Sequence, residues 1–138
     1  MRTTRAGVRI IEHDNPGGYT NIPRDGIVEL LFKNARLQRQ CSDMQEMVKA
    51  FGADQAKKLK VRLDDLDAAP TLEVVRSLPG HYHELKGNRA GQIACRLAKG
   101  VRLVFEAANE PPPLKEDGGL DWRAVTSVRI LEVGDYHD

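Results

Sequence analysis

The stretch QIACRLAKGVRLVF, residues 92–105, carries the clearest structural pattern in this sequence. From Ile93 to Leu97 apolar side chains alternate with polar or small ones, which is the period of a half-buried strand. Lys99-Gly100 then offers a two-residue hairpin turn into a second apolar strand, Val101–Phe105. The stretch therefore predicts a β-hairpin.

Downstream of the hairpin, the chain predicts a long exposed loop followed by one more strand. Pro111-Pro112-Pro113 and Gly118-Gly119 are typical of exposed loops. Val125–Val133 is apolar on both sides near its centre, which predicts a last strand with neighbours on both edges.

Upstream of the hairpin, two runs of apolar residues recur at steps of three and four, the spacing of one helical face. The first run is Leu37, Cys41, Met44, Met47/Val48 and Phe51. The second run is Ala56, Leu59, Leu63 and Leu66. Gly52 separates them, and such a short link predicts an antiparallel pair of helices that ends before Pro70.

A strand is predicted before the helices at Ile27–Phe32, and His81–Lys86 alternates weakly after them. The resulting fold class is α+β: an N-terminal strand, an antiparallel helical hairpin, then a three- to four-stranded, mainly antiparallel sheet. Residues 27–138 are expected to form this domain. Residues 1–26 are predicted to be an N-terminal extension, either an arm or an extra strand.

Composition narrows the class of protein. A chain of 138 residues with 41% hydrophobic and 30% charged residues suits one globular domain. No apolar run is long enough to span a bilayer, and no apolar segment of a secretory signal follows Arg2 and Arg5. Cys41 and Cys95 lie far apart and on apolar faces, so we expect buried, inert thiols and a reducing cytoplasm.

The net charge of +1 conceals two oppositely charged segments. Residues 27–105 hold fourteen lysines and arginines against nine acidic residues, whereas residues 106–138 hold three against eight. The basic part is densest from Arg76 to Arg102, which also contains His81 and His83. A field of this kind favours a polyanion such as nucleic acid; a solvated surface is the alternative.

Side chains suited to RNA cleavage are concentrated in the second half of the chain. We predict that Lys86, Arg89 and Arg102 converge near adjacent strand ends, with His83 close by and Asp135-Tyr136-His137 after the last strand. Cleavage at a 2′-hydroxyl needs a base, an acid for the 5′-oxygen and cations for the phosphate. Imidazoles and guanidinium groups supply these functions near neutral pH, and a tyrosine can stack on a base.

Three motifs in combination resemble a known family. They are HELKGNRAGQ at residues 83–92, RLVF at 102–105 and ILEVGDYH at 130–137. Together they are similar to the HigB-like killer toxins of the RelE/ParE superfamily, over a stretch from about Ile27 to His137.

The resemblance implies a RelE-like fold and a toxin of a type II toxin–antitoxin system, a ribosome-dependent mRNA endonuclease that needs no metal and no cofactor. Its implied partners are the ribosome with mRNA and a helix-turn-helix, HigA-like antitoxin, with operator DNA bound only through the antitoxin complex and no membrane. The implied catalytic residues are His83, Lys86, Asp135, Tyr136 and His137. The implied phosphate contacts are Arg89 and Arg102, with Arg96 as a further RNA contact.

Other interpretations stay open. Val101 stands where typical members have an aromatic residue, Asn88 stands where many have aspartate, and the loop from Ala107 to Thr126 is longer than in compact members. A ParE-like toxin acting on DNA gyrase would share the fold and need no catalytic histidines. A non-catalytic domain that binds an antitoxin and regulates its operon is a third possibility.

Overall fold

The hairpin predicted at residues 92–105 is present in the computed structural model, which describes residues 28–135. Lys99 and Gly100 form its turn, and both have a left-handed backbone, with φ of 52° and 84°. Two consecutive left-handed residues match the right-handed twist of the strands that they join, which favours a tight hairpin here.

The hairpin belongs to a five-stranded sheet with the order β1-β5-β4-β3-β2. The strands are β1 (Glu29–Phe32), β2 (His83–Glu84), β3 (Gln92–Arg96), β4 (Arg102–Ala107) and β5 (Ser127–Gly134). Only the pairing of β1 with β5 is parallel. The α+β fold class, the mainly antiparallel sheet and the interior position of the last strand are confirmed. The predicted extension at residues 1–26 lies outside the described residues.

Three α-helices lie between β1 and β2: α1 (Ala35–Gln40), α2 (Met44–Phe51) and α3 (Ala53–Ala68). The prediction of one helix from Leu37 to Phe51 is wrong, because the chain stops and restarts at residues 41–43. The Asp43 side chain accepts a hydrogen bond from Glu46 N at 2.8 Å and so caps a new helix. Met44, which the spacing assigns to the apolar face of that helix, is 38% exposed.

The second predicted helix is confirmed as α3, and its predicted apolar residues are all fully buried. They pack with side chains of α1, α2 and one face of the sheet into the main core. The opposite side of the sheet is called the outer face below. It carries its own small buried cluster, Leu85, Ala94 and Val104, with Leu131 packed against it.

The long loop after β4 is held to the domain at both of its ends. The Asn109 side chain accepts hydrogen bonds from the backbone N–H groups of Thr126 and Ser127, at 3.1 and 3.3 Å, which closes the base of the loop. Trp122 is buried and donates from Nε1 to a Glu84 carboxylate oxygen at 2.7 Å, with the Arg76 guanidinium 3.8 Å above its ring. Trp122 thus anchors the end of the loop to the domain.

Candidate active site

Strand register brings basic side chains together at one end of the outer face. Arg102 is aligned with Arg96 across the β3–β4 hairpin and with Gly134 of β5 on its other side. Residues aligned across a sheet project to the same face, so the two guanidinium groups share the outer face at the hairpin end. Arg96 is exposed and Arg102 is half-buried, and neither makes an ion pair with another described residue.

β5 delivers a carboxylate to this same end. Asp135 follows Gly134 directly and is exposed. Its Oδ1 lies 4.0 Å from the position that a Cβ on Gly100 would occupy, so it lies beside the hairpin turn. Tyr136 and His137 lie outside the described residues, and their assignment stays a prediction.

Two histidines complete the basic end, and we call His81, His83, Arg96 and Arg102 the basic cluster. His83 is aligned with Ala94, two positions along β3 from Arg96. The His81 and His83 rings are 4.7 Å apart between centroids, at an interplanar angle of 41°. The cluster therefore contains two imidazoles and two guanidinium groups.

The tautomer of His83 follows from its hydrogen bond. His83 Nδ1 lies 2.9 Å from the backbone oxygen of His81. A carbonyl oxygen only accepts, so Nδ1 must carry the proton in this contact. In the neutral ring Nε2 then keeps its lone pair, and this nitrogen can take a proton from a substrate hydroxyl.

The neighbouring charges also act on His81. The pKa of its exposed imidazole lies below the ordinary 6.5, chiefly because His83 repels a second proton, with smaller contributions from desolvation, Arg96 and Arg102. A lowered pKa favours the neutral ring, so near neutral pH His81 is a proton acceptor. Sequence analysis noted His81 only as part of the basic stretch and gave it no catalytic role.

Arg89 lies on the outer face in contact with two other side chains. It donates from Nη1 to Gln92 Oε1 at 2.8 Å and from Nη2 to Glu132 Oε2 at 3.3 Å, and so spans β3 to β5. Glu132 is thus an ion-pair partner of Arg89. Glu132 is aligned with Val104, two residues along β4 from Arg102.

Lys86 is separated from Arg102 by the length of a strand. It is exposed and precedes the turn that leads into Gln92, whereas Arg102 begins β4 at the hairpin end. Five residues of β3 span about 13 Å. His83 and Arg102 thus lie towards the same end of the outer face, as predicted. Arg89 extends towards them only through its long side chain, and Lys86 lies at the far end of the outer face.

The basic cluster is supported from the core side by a residue that sequence analysis missed. Arg62 of α3 is 6% exposed and donates from Nε to the backbone oxygen of Arg96 at 2.9 Å. It also packs against Gly80, where a Cβ would approach Arg62 Nε to 2.9 Å. The sequence did contain a signal for this contact: Arg62 lies within the apolar helical pattern, and Gly80 precedes the histidines.

Among residues 28–135, no group of three or more histidine, cysteine or acidic side chains is arranged to hold a metal ion. Cys41 and Cys95 are both buried, as predicted. Within the same range, no helix is long and apolar enough to cross a membrane.

Comparison with known proteins gives distant structural matches. No family model matches the chain, and no curated protein sequence matches it significantly. The chain is similar to the YoeB/ParE toxin from Agrobacterium tumefaciens, with a TM-score of 0.49, 12% identity and coverage of 78% of this chain and 98% of that one. It is also similar to the YoeB dimer from Staphylococcus aureus, with a TM-score of 0.46, 18% identity and coverage of 80% and 98%.

Proposed function

We propose that this protein is a toxin of a type II toxin–antitoxin system, a HigB-like endonuclease that cleaves mRNA while it is being translated. The observation that supports the proposal is the basic cluster, in which His83 of β2 and Arg102 of β4 lie on the same outer face, with Arg102 aligned with Gly134 at the end of β5. The motifs at residues 83–92, 102–105 and 130–137 support it through their resemblance to that family. We propose a cytoplasmic protein that acts on ribosome-bound mRNA and has no membrane partner. A helix-turn-helix, HigA-like antitoxin neutralises it in this proposal, and it contacts operator DNA only through the complex with that antitoxin.

In the proposed reaction, the 2′-oxygen of the RNA attacks the adjacent phosphorus and the bond from phosphorus to the 5′-oxygen breaks. The 2′-hydroxyl proton passes to a base, and an acid returns a proton to the departing oxygen. The products are a 2′,3′-cyclic phosphate and a 5′-hydroxyl. His83 and His137 are candidates for the proton transfers, and imidazoles suit both roles near neutral pH.

The remaining residues bind and orient the RNA in this proposal. Arg102 and Arg96 neutralise the charge that builds on the scissile phosphate. Tyr136 stacks on a flanking base, and Asp135 orients a neighbouring histidine or arginine. Because Lys86 lies at the far end of the outer face, it contacts a neighbouring phosphate of the strand, and Arg89 does so where RNA displaces Glu132.

The test is induced expression in bacteria of the full chain and of a Lys86→Ala/His137→Ala variant, followed by mapping of mRNA 5′ ends. We expect growth arrest with cuts inside translated reading frames, and loss of both in the variant. Lys57→Ala, an exposed change of the same charge on α3, is the matched control and should arrest growth like the parent.

The two alternatives predict different outcomes in the same experiment. Growth arrest with intact mRNA and altered plasmid supercoiling would replace the nuclease with a gyrase-directed toxin. Absence of arrest, with tight binding to an antitoxin, would replace it with a non-catalytic binding domain.

A further inference from the structure

His81 has a left-handed backbone, a conformation that is uncommon for a residue other than glycine. Gly80 and His81 are consecutive residues with positive φ, 129° and 54°. Apart from His81, Lys99 is the one non-glycine residue with positive φ in the described range. Histidine enters this region more readily than most residues with a side chain, and non-glycine residues that do so are concentrated at functional sites.

The conformation of His81 is held by contacts with β3 and α3. The Gly80 backbone oxygen accepts a hydrogen bond from Arg96 N at 2.8 Å, which ties the segment to β3. Arg62 donates to the oxygen of the same Arg96 and fills the space where a Cβ on Gly80 would stand. These contacts therefore fix the backbone of His81 beside Arg96, another member of the basic cluster.

The side chain of His81 is exposed, and it is close enough to Arg96 and Arg102 for both positive charges to act on it. Arg96 and Arg102 share the outer face at this end, and Asp135 is the carboxylate beside it. The His83 ring stands 4.7 Å away with its Nδ1 proton directed to the His81 carbonyl oxygen. His81 thus presents an imidazole to the same solvent-filled space as the two arginines.

We propose that His81 is the general base of the RNA cleavage, accepting the 2′-hydroxyl proton on a ring nitrogen as the 2′-oxygen attacks phosphorus. This inference rests on the proposed function and deepens it. His83 and His137 are then left as donors of the proton to the departing 5′-oxygen. The neutral state that the basic neighbours favour in His81 suits a base and not an acid.

The test uses His81→Gly and His81→Asn in single-turnover cleavage of mRNA on programmed ribosomes by the full chain. Glycine and asparagine both adopt left-handed backbone readily, so these changes remove the imidazole and keep the local fold. We expect cleavage to slow by about 100-fold or more, the usual contribution of a general base. Lys99→Gly, the matched change at the other left-handed residue, should cleave at the parent rate.

Chemical rescue separates a base from a structural residue. Added imidazole should restore His81→Gly by about tenfold or more, with a rate that follows the concentration of the unprotonated buffer. A loss of rate that imidazole does not restore would overturn the inference, and so would an unchanged rate in both variants. If the unaltered chain cleaves no mRNA, the proposed function itself fails, and the inference fails with it.

A readout independent of cleavage is the pKa of His81, measured by NMR titration of the imidazole signals. We expect a value below 6.5 in the unaltered chain, which rises in His83→Asn because that change removes the largest source of repulsion. A smaller rise is expected in Arg102→Gln. A value at or above 6.5 in the unaltered chain would overturn the electrostatic basis of the inference.

Discussion

Arg89 and Glu132 are joined across the outer face, with Arg89 Nη2 3.3 Å from Glu132 Oε2. The side chains are 31% and 39% exposed, so the pair contributes at most about 1 kcal/mol to stability. The pair matters more for ligand binding, because the Glu132 carboxylate accepts a hydrogen bond from Arg89 that a bound phosphate would otherwise accept. Glu132 therefore competes with RNA for Arg89 if the proposed function holds.

We expect Glu132→Gln to bind single-stranded RNA severalfold more tightly at low salt, as measured by fluorescence anisotropy. Glu106→Gln is the matched control, since it breaks a similar pair with Arg129, 2.8 Å long on the same face, and removes the same charge. Equal gains in both variants would mean a general charge effect. Weaker binding by Glu132→Gln would mean that Glu132 positions Arg89 for RNA.

Gly80 is predicted to be intolerant of any side chain. Alanine there would place Cβ 2.9 Å from Arg62 Nε in a left-handed backbone, so Gly80→Ala should destabilise the fold by about 2 kcal/mol or more in urea denaturation. Gly118→Ala meets only the backbone strain, because nothing lies within 4 Å, and should lose about 1 kcal/mol. Equal losses at the two positions would contradict close packing by Arg62.

The Tyr82 hydroxyl is buried with no nitrogen or oxygen partner among the described residues and only a weak interaction with the Cys95 thiol, while its ring packs edge-on against Phe105. An unsatisfied buried hydroxyl is unfavourable, so Tyr82→Phe should stabilise the protein by up to about 1 kcal/mol in thermal or urea unfolding at pH 7. A clear loss of stability would show that the hydroxyl has a partner.

Alkaline pH should unfold the protein through the same region. Burial raises the pKa of the Cys95 thiol from 9.0 to about 12 and raises that of Tyr82 well above 10.0. The unfolded chain therefore loses these protons first, so stability is complete below about pH 9 and falls as pH rises toward 12. Cys95→Ala/Tyr82→Phe should flatten this decline in urea titrations from pH 7 to 11; an equally steep decline would assign it to other groups.

The cap that divides the first two helices has a measurable value. Asp43→Ala removes the acceptor of Glu46 N and should destabilise the fold by about 1 kcal/mol. Gln45→Ala, an exposed change within α2, is the control and should be neutral or slightly stabilising. The comparison is made by urea denaturation, and equal effects would contradict a capping role.

Much of the fold was predictable because several residues in each element agreed. The α3 pattern was unambiguous, and the Lys99-Gly100 turn matched two apolar strands. The first helix was mispredicted because Leu37 to Phe51 keeps a helical period through a break that is decided locally by Asp43. The single capping hydrogen bond of Asp43 thus starts a new helix, although the apolar spacing continues across the break.

The candidate site was predictable only in part. The position of His83 follows from its motif and its strand, whereas that of His81 depends on the left-handed Gly80 and its hydrogen bond with Arg96. Arg62 was missed because a charged residue is expected on the surface, and it is buried here by the space that Gly80 leaves. These features require tertiary contacts that spacing along the chain does not contain.

The pairing of β1 with β5 can form only late in the synthesis of this protein. Glu29 aligns with Ser127, about a hundred residues further on, so β1, the first of the described strands, gains its neighbour in the sheet only after β5, the last of them, has been made. The same last strand forms one side of the basic end. A nascent chain that still lacks β5 has neither Val128 nor Ile130 in its core, so the core closes only when this last described strand has been made.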